Sequence, residues 1–372
     1  MNIPLVDLKA QYNNNSKEID LAINRVLQAG WFIGGEEVVN FQQEYTKYIG
    51  TKYCIGVNSG TDALVLGLRA LELMHGDEII IPANTFIATA LAASENGLKP
   101  VFVDIDEKDF GIDLADLKRK INNRTKAVIV VHLYGQSDKI DEIKKVIKES
   151  GKNIHLIEDA CQAHGAFYNK KRVGNYGVFS TFSFYPGKNL GAYGDGGAIV
   201  TSDTKLARKY KLLHEYGQKE KYFHQSLGVN SRLDTLQAAI LRVKLRHLEK
   251  WNKRRQEIAS LYTRLISQNI HEVIPPMEFN ERKSVFHLYV IRAKKRDKLL
   301  KYLHESGVGA LIHYPHPLHL QKAYQHLGYK RGDFPTTEKL SNEILSLPIY
   351  PELKKEQVEY VFNKTREFYS KK

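Results

Sequence analysis

The feature that most constrains this chain is a regular alternation of short apolar strand patterns with helical ones between roughly residues 53 and 201. Runs such as Glu78-Ile-Ile-Ile81, Pro100-Val-Phe-Val-Asp104 and Ala127-Val-Ile-Val-Val131 are apolar on both faces, as strands covered by helices must be. Residues 36–49, 113–121 and 138–150 carry helical spacing between them. Alternation of this kind predicts a largely parallel α/β sheet, because successive parallel strands need a crossover and a helix supplies it. Ligands of such sheets sit at the carboxyl ends of the strands. The functional residues are therefore expected in a few strand-to-helix turns.

Three of those turns carry chemistry. The strand Tyr53-Cys-Ile-Gly-Val57 feeds Asn58-Ser-Gly-Thr-Asp-Ala-Leu64, where unpaired amides and the helix dipole converge with the hydroxyls of Ser59 and Thr61. It reads as an anion site or as a plain N-cap by Ser59 or Thr61. It is neither a Walker A loop nor a GxGxxG fingerprint, so nucleoside triphosphates and dinucleotides lose support. In Glu158-Asp-Ala-Cys-Gln-Ala-His164, an aspartate directly after an apolar strand has to cap a helix or pair with a buried cation. His164 reads either as a general base or as a hydrogen-bonded packing residue. Finally, the strand ending at Phe184 breaks at Pro186-Gly187 and presents Lys188 on a glycine-rich turn among aromatics and hydroxyls. A lysine held away from water gives up its proton more readily, and the free amine can condense with a carbonyl.

Beyond residue 201 the pattern changes. Residues 234–265 read as one long helix whose basic part, Arg242 to Arg255, is core-facing on one side and solvated on the other. From about residue 252 the texture becomes that of a smaller α+β domain, with Phe286-His-Leu-Tyr-Val-Ile291 as a half-solvated strand. The division expected is a large α/β domain over 1–250 and a small C-terminal domain over 251–372. In Ile312-His-Tyr-Pro-His-Pro-Leu-His-Leu320 the prolines exclude a regular helix and the carboxylate or cysteine company of a metal site is missing nearby, so contact with a substrate is the stronger reading.

The net charge of +13 and pI near 9.3 favour anionic partners. The lysines are scattered rather than blocked, and no zinc-finger, RNP or winged-helix pattern occurs, so nucleic acid is not expected as a partner. No run reaches transmembrane length, the N-terminus lacks a basic-then-apolar pattern, and Cys54 and Cys161 read as buried thiols. A cytoplasmic protein without membrane attachment is expected.

One cofactor needs all these parts at once. Pyridoxal phosphate carries a phosphate, an aromatic face, a ring nitrogen kept protonated and an aldehyde. The anion loop suits the phosphate, Phe86 the ring face, Asp159 the pyridinium and Lys188 the aldehyde. A dehydrogenase would need none of this. The chain also closely resembles the DegT/DnrJ/EryC1/StrS nucleotide-sugar aminotransferases. The resemblance rests on Pro4-Leu-Val-Asp-Leu8, Ser59-Gly-Thr-Asp-Ala-Leu64, Pro82-Ala-Asn-Thr-Phe-Ile-Ala-Thr89, Glu158-Asp-Ala-Cys-Gln-Ala-His-Gly165, Ser183-Phe-Tyr-Pro-Gly-Lys-Asn-Leu190 and Asn230-Ser-Arg-Leu-Asp-Thr-Leu-Gln237. It implies the fold-type-I architecture of pyridoxal phosphate transferases, with a mostly parallel seven-stranded sheet. It further implies that Gly60, Thr61 and Ser183 hold the phosphate, Gln162 lies beside the ring hydroxyl, and Asn230 reaches the cofactor of a neighbouring subunit, making the unit a homodimer.

Glutamate is the amino donor the resemblance implies, and released Lys188 would carry a proton between the amino acid Cα and the cofactor C4′, giving ping-pong kinetics. Some members carry histidine in place of the lysine and dehydrate sugars, which Lys188 argues against here. Within the family, the opening residues together with the segments around Tyr185 and His313 look most like enzymes acting at C3 of dTDP-3-keto-6-deoxyhexoses, for surface polysaccharide. Tyr185, His313, Tyr314 and Arg232 are the expected sugar contacts. Amination at C4 of a UDP-4-keto sugar stands as the alternative substrate, and a non-catalytic regulator or a basic DNA-binding protein as alternatives of another kind.

Overall fold

A computed structural model describes residues 1–370. Two helices, α1 (Leu8–Ala29) and α2 (Glu36–Ile49), come first. Seven strands then build the main sheet: β1 (Tyr53–Val57), β2 (Glu78–Pro82), β3 (Lys99–Val103), β4 (Thr125–Val131), β5 (His155–Asp159), β6 (Ser180–Ser183) and β7 (Gly197–Thr201). Their spatial order is β1-β7-β6-β5-β4-β2-β3. Only β7 runs against its neighbours; the remaining pairs are parallel. A strand's residue pattern carries no direction, so this reversal was invisible to the alternation argument.

Successive side chains of a strand leave the sheet on opposite faces, and here each face meets its own helices. Ile79, Ile81, Ala127 and Ile129 pack into one core with Leu64, Leu68 and Ala90, from α3 (Gly60–Arg69) and α4 (Ile87–Glu95). Ile80, Val101, Val128 and Val130 face the other way, towards Leu117 of α5 (Leu114–Lys120) and Ile140 and Ile143 of α6 (Ile140–Glu149). Double coverage is why these strands read as continuous apolar runs.

After α7 (Thr204–Leu213), the long helix α8 (Thr235–Asn269) joins two cores. Its first half gives Ala238, Leu241 and Leu248 to a core shared with α2 and β7. Its second half gives Ile258, Tyr262 and Ile266 to another, built around an antiparallel sheet of Val273–Ile274, Tyr289–Ala293 and Ile344–Leu347. Residue 250 thus lies inside α8. Ile3 of the N-terminal segment belongs to that second core, hydrogen-bonded with Gly307 and Gly309. The strand expected over 286–291 as half-solvated is instead Tyr289–Ala293 and is largely buried. Tyr289 and Ile291 enter the second core while Val290 enters the first; being sandwiched between two cores removes the solvated face.

Candidate active site

A cavity of about 600 Å³ opens where the carboxyl ends of β1, β2, β4, β5 and β6 face the small sheet. On the β1 side Ser59 caps α3, its Oγ accepting from the Asp62 amide at 3.0 Å. The amides of Gly60 and Thr61 begin the helix and have no preceding turn to receive them. Cap and anion site are therefore compatible, since the side chain serves Asp62 and leaves the first two amides free of that task. Gly60 is packed closely: a Cβ there would fall 2.7 Å from Ser183 Cβ and 3.0 Å from Cys161 Sγ. The absent side chain is what lets the start of α3 pack directly against Ser183 and Cys161.

Asp159 ends β5, almost fully buried. Oδ2 accepts from the Thr89 hydroxyl at 2.8 Å and Oδ1 from the Cys161 amide at 3.2 Å. Thr85 extends the chain, 3.0 Å from Thr89. Lys188 stands in a tight turn after β6, its amide bonded to the Tyr185 carbonyl at 2.8 Å. Burial lowers its ammonium below the usual lysine range, against an opposing pull from Cys161 and Asp159. Gln162 is fixed from two sides: Oε1 accepts from the Tyr134 amide at 2.8 Å and Nε2 donates to the Tyr314 hydroxyl at 3.2 Å.

Phe86 and Tyr314 face each other at 5.5 Å between centroids, and Tyr185 stands exposed at the mouth. His313 holds Ser346 Oγ at 2.8 Å through Nδ1, and burial and then Lys188 push its pKa down to about 4. Eleven of the sequence-predicted residues thus line one cavity: Ser59, Gly60, Thr61, Phe86, Asp159, Gln162, Ser183, Tyr185, Lys188, His313 and Tyr314. Asn230 and Arg232 do not. Asn230 is exposed in a bridge to Glu215, and Arg232 pairs with Glu215 Oε1 at 2.8 Å.

The structure decides between the two readings of His164. Nε2 meets the Ser183 carbonyl at 2.8 Å and so carries the proton; Nδ1 then accepts from the Tyr45 hydroxyl at 2.9 Å. Both nitrogens are spent, and burial pushes the pKa down to about 3. His164 is a hydrogen-bonded core residue that secures the backbone at Ser183. Among the remaining histidines of the proline-rich segment, His319 pairs with Glu338 at 3.0 Å and His316 is exposed. Sequence reasoning missed Thr89, His287, and Leu5 and Val6, which also line or support the cavity. The signal for Thr89 was its place four residues after Thr85, on one helix face.

Pyridoxal phosphate fits this donor set. A helix start that a glycine brings close against Ser183 suits the phosphate, a buried carboxylate the ring nitrogen, and a desolvated lysine the aldehyde. A largely parallel sheet bearing that constellation at its carboxyl edge defines a pyridoxal-phosphate-dependent aminotransferase of fold type I.

Comparison with known proteins narrows the class. The model of the DegT/DnrJ/EryC1/StrS aminotransferase family matches residues 13–366, and the chain belongs to that family. It is 47% identical over 359 residues to the dTDP-3-amino-3,6-dideoxy-alpha-D-galactopyranose transaminase of Aneurinibacillus thermoaerophilus, covering 96% of this chain and 97% of that protein. It is 46% identical over 370 residues to a protein of Geobacillus stearothermophilus named "Pleiotropic regulatory protein", covering 99% of each. The crystal structure of S. venezuelae DesV in complex with a ketimine intermediate superposes with a TM-score of 0.95 at 41% identity, covering 99% of this chain and 98% of that one. The protein is a pyridoxal-phosphate-dependent sugar aminotransferase acting in nucleotide-sugar metabolism. Among the described residues no helix is long and apolar enough to cross a membrane.

Proposed function

We propose that this enzyme moves the amino group of L-glutamate to C3 of a dTDP-3-keto-6-deoxyhexose, giving a dTDP-3-amino-3,6-dideoxyhexose for surface polysaccharide. The observation that carries this reading is the 47% identity, along nearly the whole chain, with a transaminase of that product class. Bound pyridoxal phosphate supplies an electron sink that stabilises charge developing on the carbon losing its proton. The Gly60 and Thr61 amides with Ser183 hold its phosphate, Phe86 covers the ring, Asp159 keeps the ring nitrogen protonated and Gln162 meets the ring hydroxyl. Lys188 is the residue that would hold the aldehyde and, as a free amine, would move a proton at the substrate carbon; its lowered ammonium pKa favours the free amine needed for that task. Tyr185, His313 and Tyr314 orient the sugar from the cavity mouth.

The same proposal includes the homodimer, a cytoplasmic location and a division into domains 1–250 and 251–372. Asn230 and Arg232 sit off this chain's own cavity, and the turn beside them carries exposed Trp31, Phe32 and Ile33. Thr235 ties that turn to the start of α8 through the Phe32 and Gly34 carbonyls. A second copy covering this surface would let Asn230 reach the partner's cofactor phosphate and Arg232 the partner's substrate.

The regulator named among the relatives keeps a second, non-catalytic reading in play. One experiment separates the readings: a panel of dTDP- and UDP-linked keto sugars with glutamate, the product identified by NMR. Amination at C3 of the dTDP sugar supports the proposal, C4 amination of a UDP sugar replaces it, and no amination of any sugar by cofactor-loaded protein favours the regulator. In the same assay Lys188→Ala abolishes turnover while circular dichroism stays native. Near-normal turnover would remove Lys188 from its role.

A further inference from the structure

One buried polar chain runs from the interior to the cavity wall, and its hydrogen-bond polarity can be read without ambiguity. Asn252 Nδ2 donates to the His164 carbonyl at 2.8 Å, and Asn189 Nδ2 donates to the Val285 carbonyl at 3.0 Å. Backbone carbonyls only accept, so both amides are fixed in orientation. Asn189 Nδ2 also donates to Asn252 Oδ1 at 2.9 Å, which leaves Asn189 Oδ1 as an acceptor. His287 Nδ1, 3.2 Å away, must therefore carry the ring proton.

We infer that His287 is a tautomer-locked acceptor whose Nε2 receives a hydrogen bond from an N–H or O–H group of the substrate. Three observations support this assignment. His287 lines the same cavity as Lys188 and is only half-buried. Among the described residues no hydrogen bond is made to its Nε2. Its backbone is held firmly, because Arg255 Nη1 donates to the carbonyls of Phe286, His287 and Ile349 at 3.2, 3.4 and 2.9 Å. Burial first, then the charges of Lys188 and Arg255 and the neighbouring His313 and His164, keep the ring neutral. The chain starts at Asn189, the residue after Lys188, so one network sets both the turn that carries the reactive amine and the wall that faces it.

Two donor groups have this chemistry: the amine carried by both glutamate and the amino-sugar product, and a hydroxyl found only on the sugar. The sugar arm of the test rests on the function proposed above; the spectroscopic arm does not. Long-range 1H–15N spectra of 15N-histidine-labelled holoenzyme, with His287 assigned from His287→Asn, should show a neutral Nδ1–H tautomer that persists at pH 5.5. An Nε2–H or doubly protonated ring overturns the inference. His287→Asn keeps a donor near the Nδ1 position and loses the acceptor; His287→Gln places an acceptor near Nε2.

L-glutamate and a dTDP-3-amino-3,6-dideoxyhexose are then titrated separately against each holoenzyme, followed by cofactor absorbance. The loss of one hydrogen bond weakens half-saturation by about tenfold in His287→Asn, with recovery in His287→Gln. Weakening for both amines assigns the bond to the amine, and weakening for the sugar alone assigns it to a hydroxyl. Unchanged half-saturation for both overturns the inference. Wild-type protein silent towards the amino sugar would fault the proposed substrate, leaving the glutamate and spectroscopic arms to decide the role of His287.

Discussion

Thr89 and Asp159 meet at the cavity floor, where the threonine hydroxyl donates to carboxylate Oδ2 at 2.8 Å out of reach of bulk water. A hydrogen bond to the charged form stabilises the carboxylate and fixes its plane, and both matter if Asp159 is to keep a pyridine nitrogen protonated. Thr89 is then a positioning residue acting through Asp159. Thr89→Val keeps the shape and removes the donor. Bonds of this kind are worth about 1.5–3 kcal/mol, so kcat should fall by about 10- to 100-fold. The pH at which the absorbance of the bound cofactor changes should move as well, while Thr89→Ser restores both. An unshifted titration with unchanged kcat would mean that Asp159 does not need this donor.

Gly60 makes a separate prediction about space. A methyl group there meets Ser183 Cβ at 2.7 Å and Ser183 Cα at 3.2 Å. The second contact is backbone and cannot swing away. Gly60→Ala should cost about 1–3 kcal/mol of stability through overpacking and should spoil the phosphate cradle. Equilibrium dialysis with pyridoxal phosphate should report weaker binding by about tenfold or more, at the one-pKa-unit scale of about 1.4 kcal/mol per tenfold. Unchanged affinity would place the phosphate elsewhere.

How far the site could be read from residue order follows from the kind of contact involved. Asp159 closes a strand and Lys188, Gly60 and Phe86 lie in the turns that follow strands, and a strand end is recognisable locally, so their convergence on one edge followed from the α/β pattern. Thr89 and His287 touch the site through contacts that span 70 and 98 residues, to Asp159 and Asn189. Nothing in local spacing announces such pairs. Direction was equally hidden at β7, as was the double burial of Tyr289–Ala293, which depends on a second core assembled from Ile3, α8 and the C-terminal strands. Arg232, expected from the resemblance as a sugar contact, lies off this chain's own cavity and pairs with a glutamate seventeen residues earlier, a neighbour that local spacing does not announce either.

Acid sensitivity should trace in part to His164. Its folded pKa is pushed down to about 3, from an ordinary 6.5, by burial. Below pH 6.5 the unfolded chain takes up a proton that the folded protein refuses, so this stability is present above 6.5 and is lost as pH falls towards 3. The slope from one such group is at most about 1.4 kcal/mol per pH unit. His164→Gln can still donate to the Ser183 carbonyl and accept from Tyr45. Urea titrations between pH 7.5 and 4.5 should show the variant losing stability less steeply than wild type by up to one proton. Parallel curves would place the acid sensitivity on the other buried histidines, such as His313.

The opposite end of the pH scale tests Lys244, a fully buried ammonium on α8. Its Nζ donates to the Gly191 carbonyl at 2.7 Å, three residues after Lys188, and lies 3.9 Å from the centre of the Tyr193 ring. Burial pushes its pKa down to about 7, with Glu352 pulling weakly upward. Between pH 7 and the ordinary 10.5 the unfolded chain holds a proton that the folded protein has released, so stability rises with pH across that window and levels off above it. Lys244→Met removes the titration together with the bond to Gly191, whose loss costs about 1 kcal/mol. At pH 10 the variant should be the less stable of the two. As pH falls towards 7 the wild type loses up to about 1.4 kcal/mol per unit from this group, and the two curves should cross. Wild-type and variant stabilities that keep a constant difference from pH 7 to 10 would mean that Lys244 stays protonated in the folded chain, held by the Tyr193 ring face and the Gly191 carbonyl.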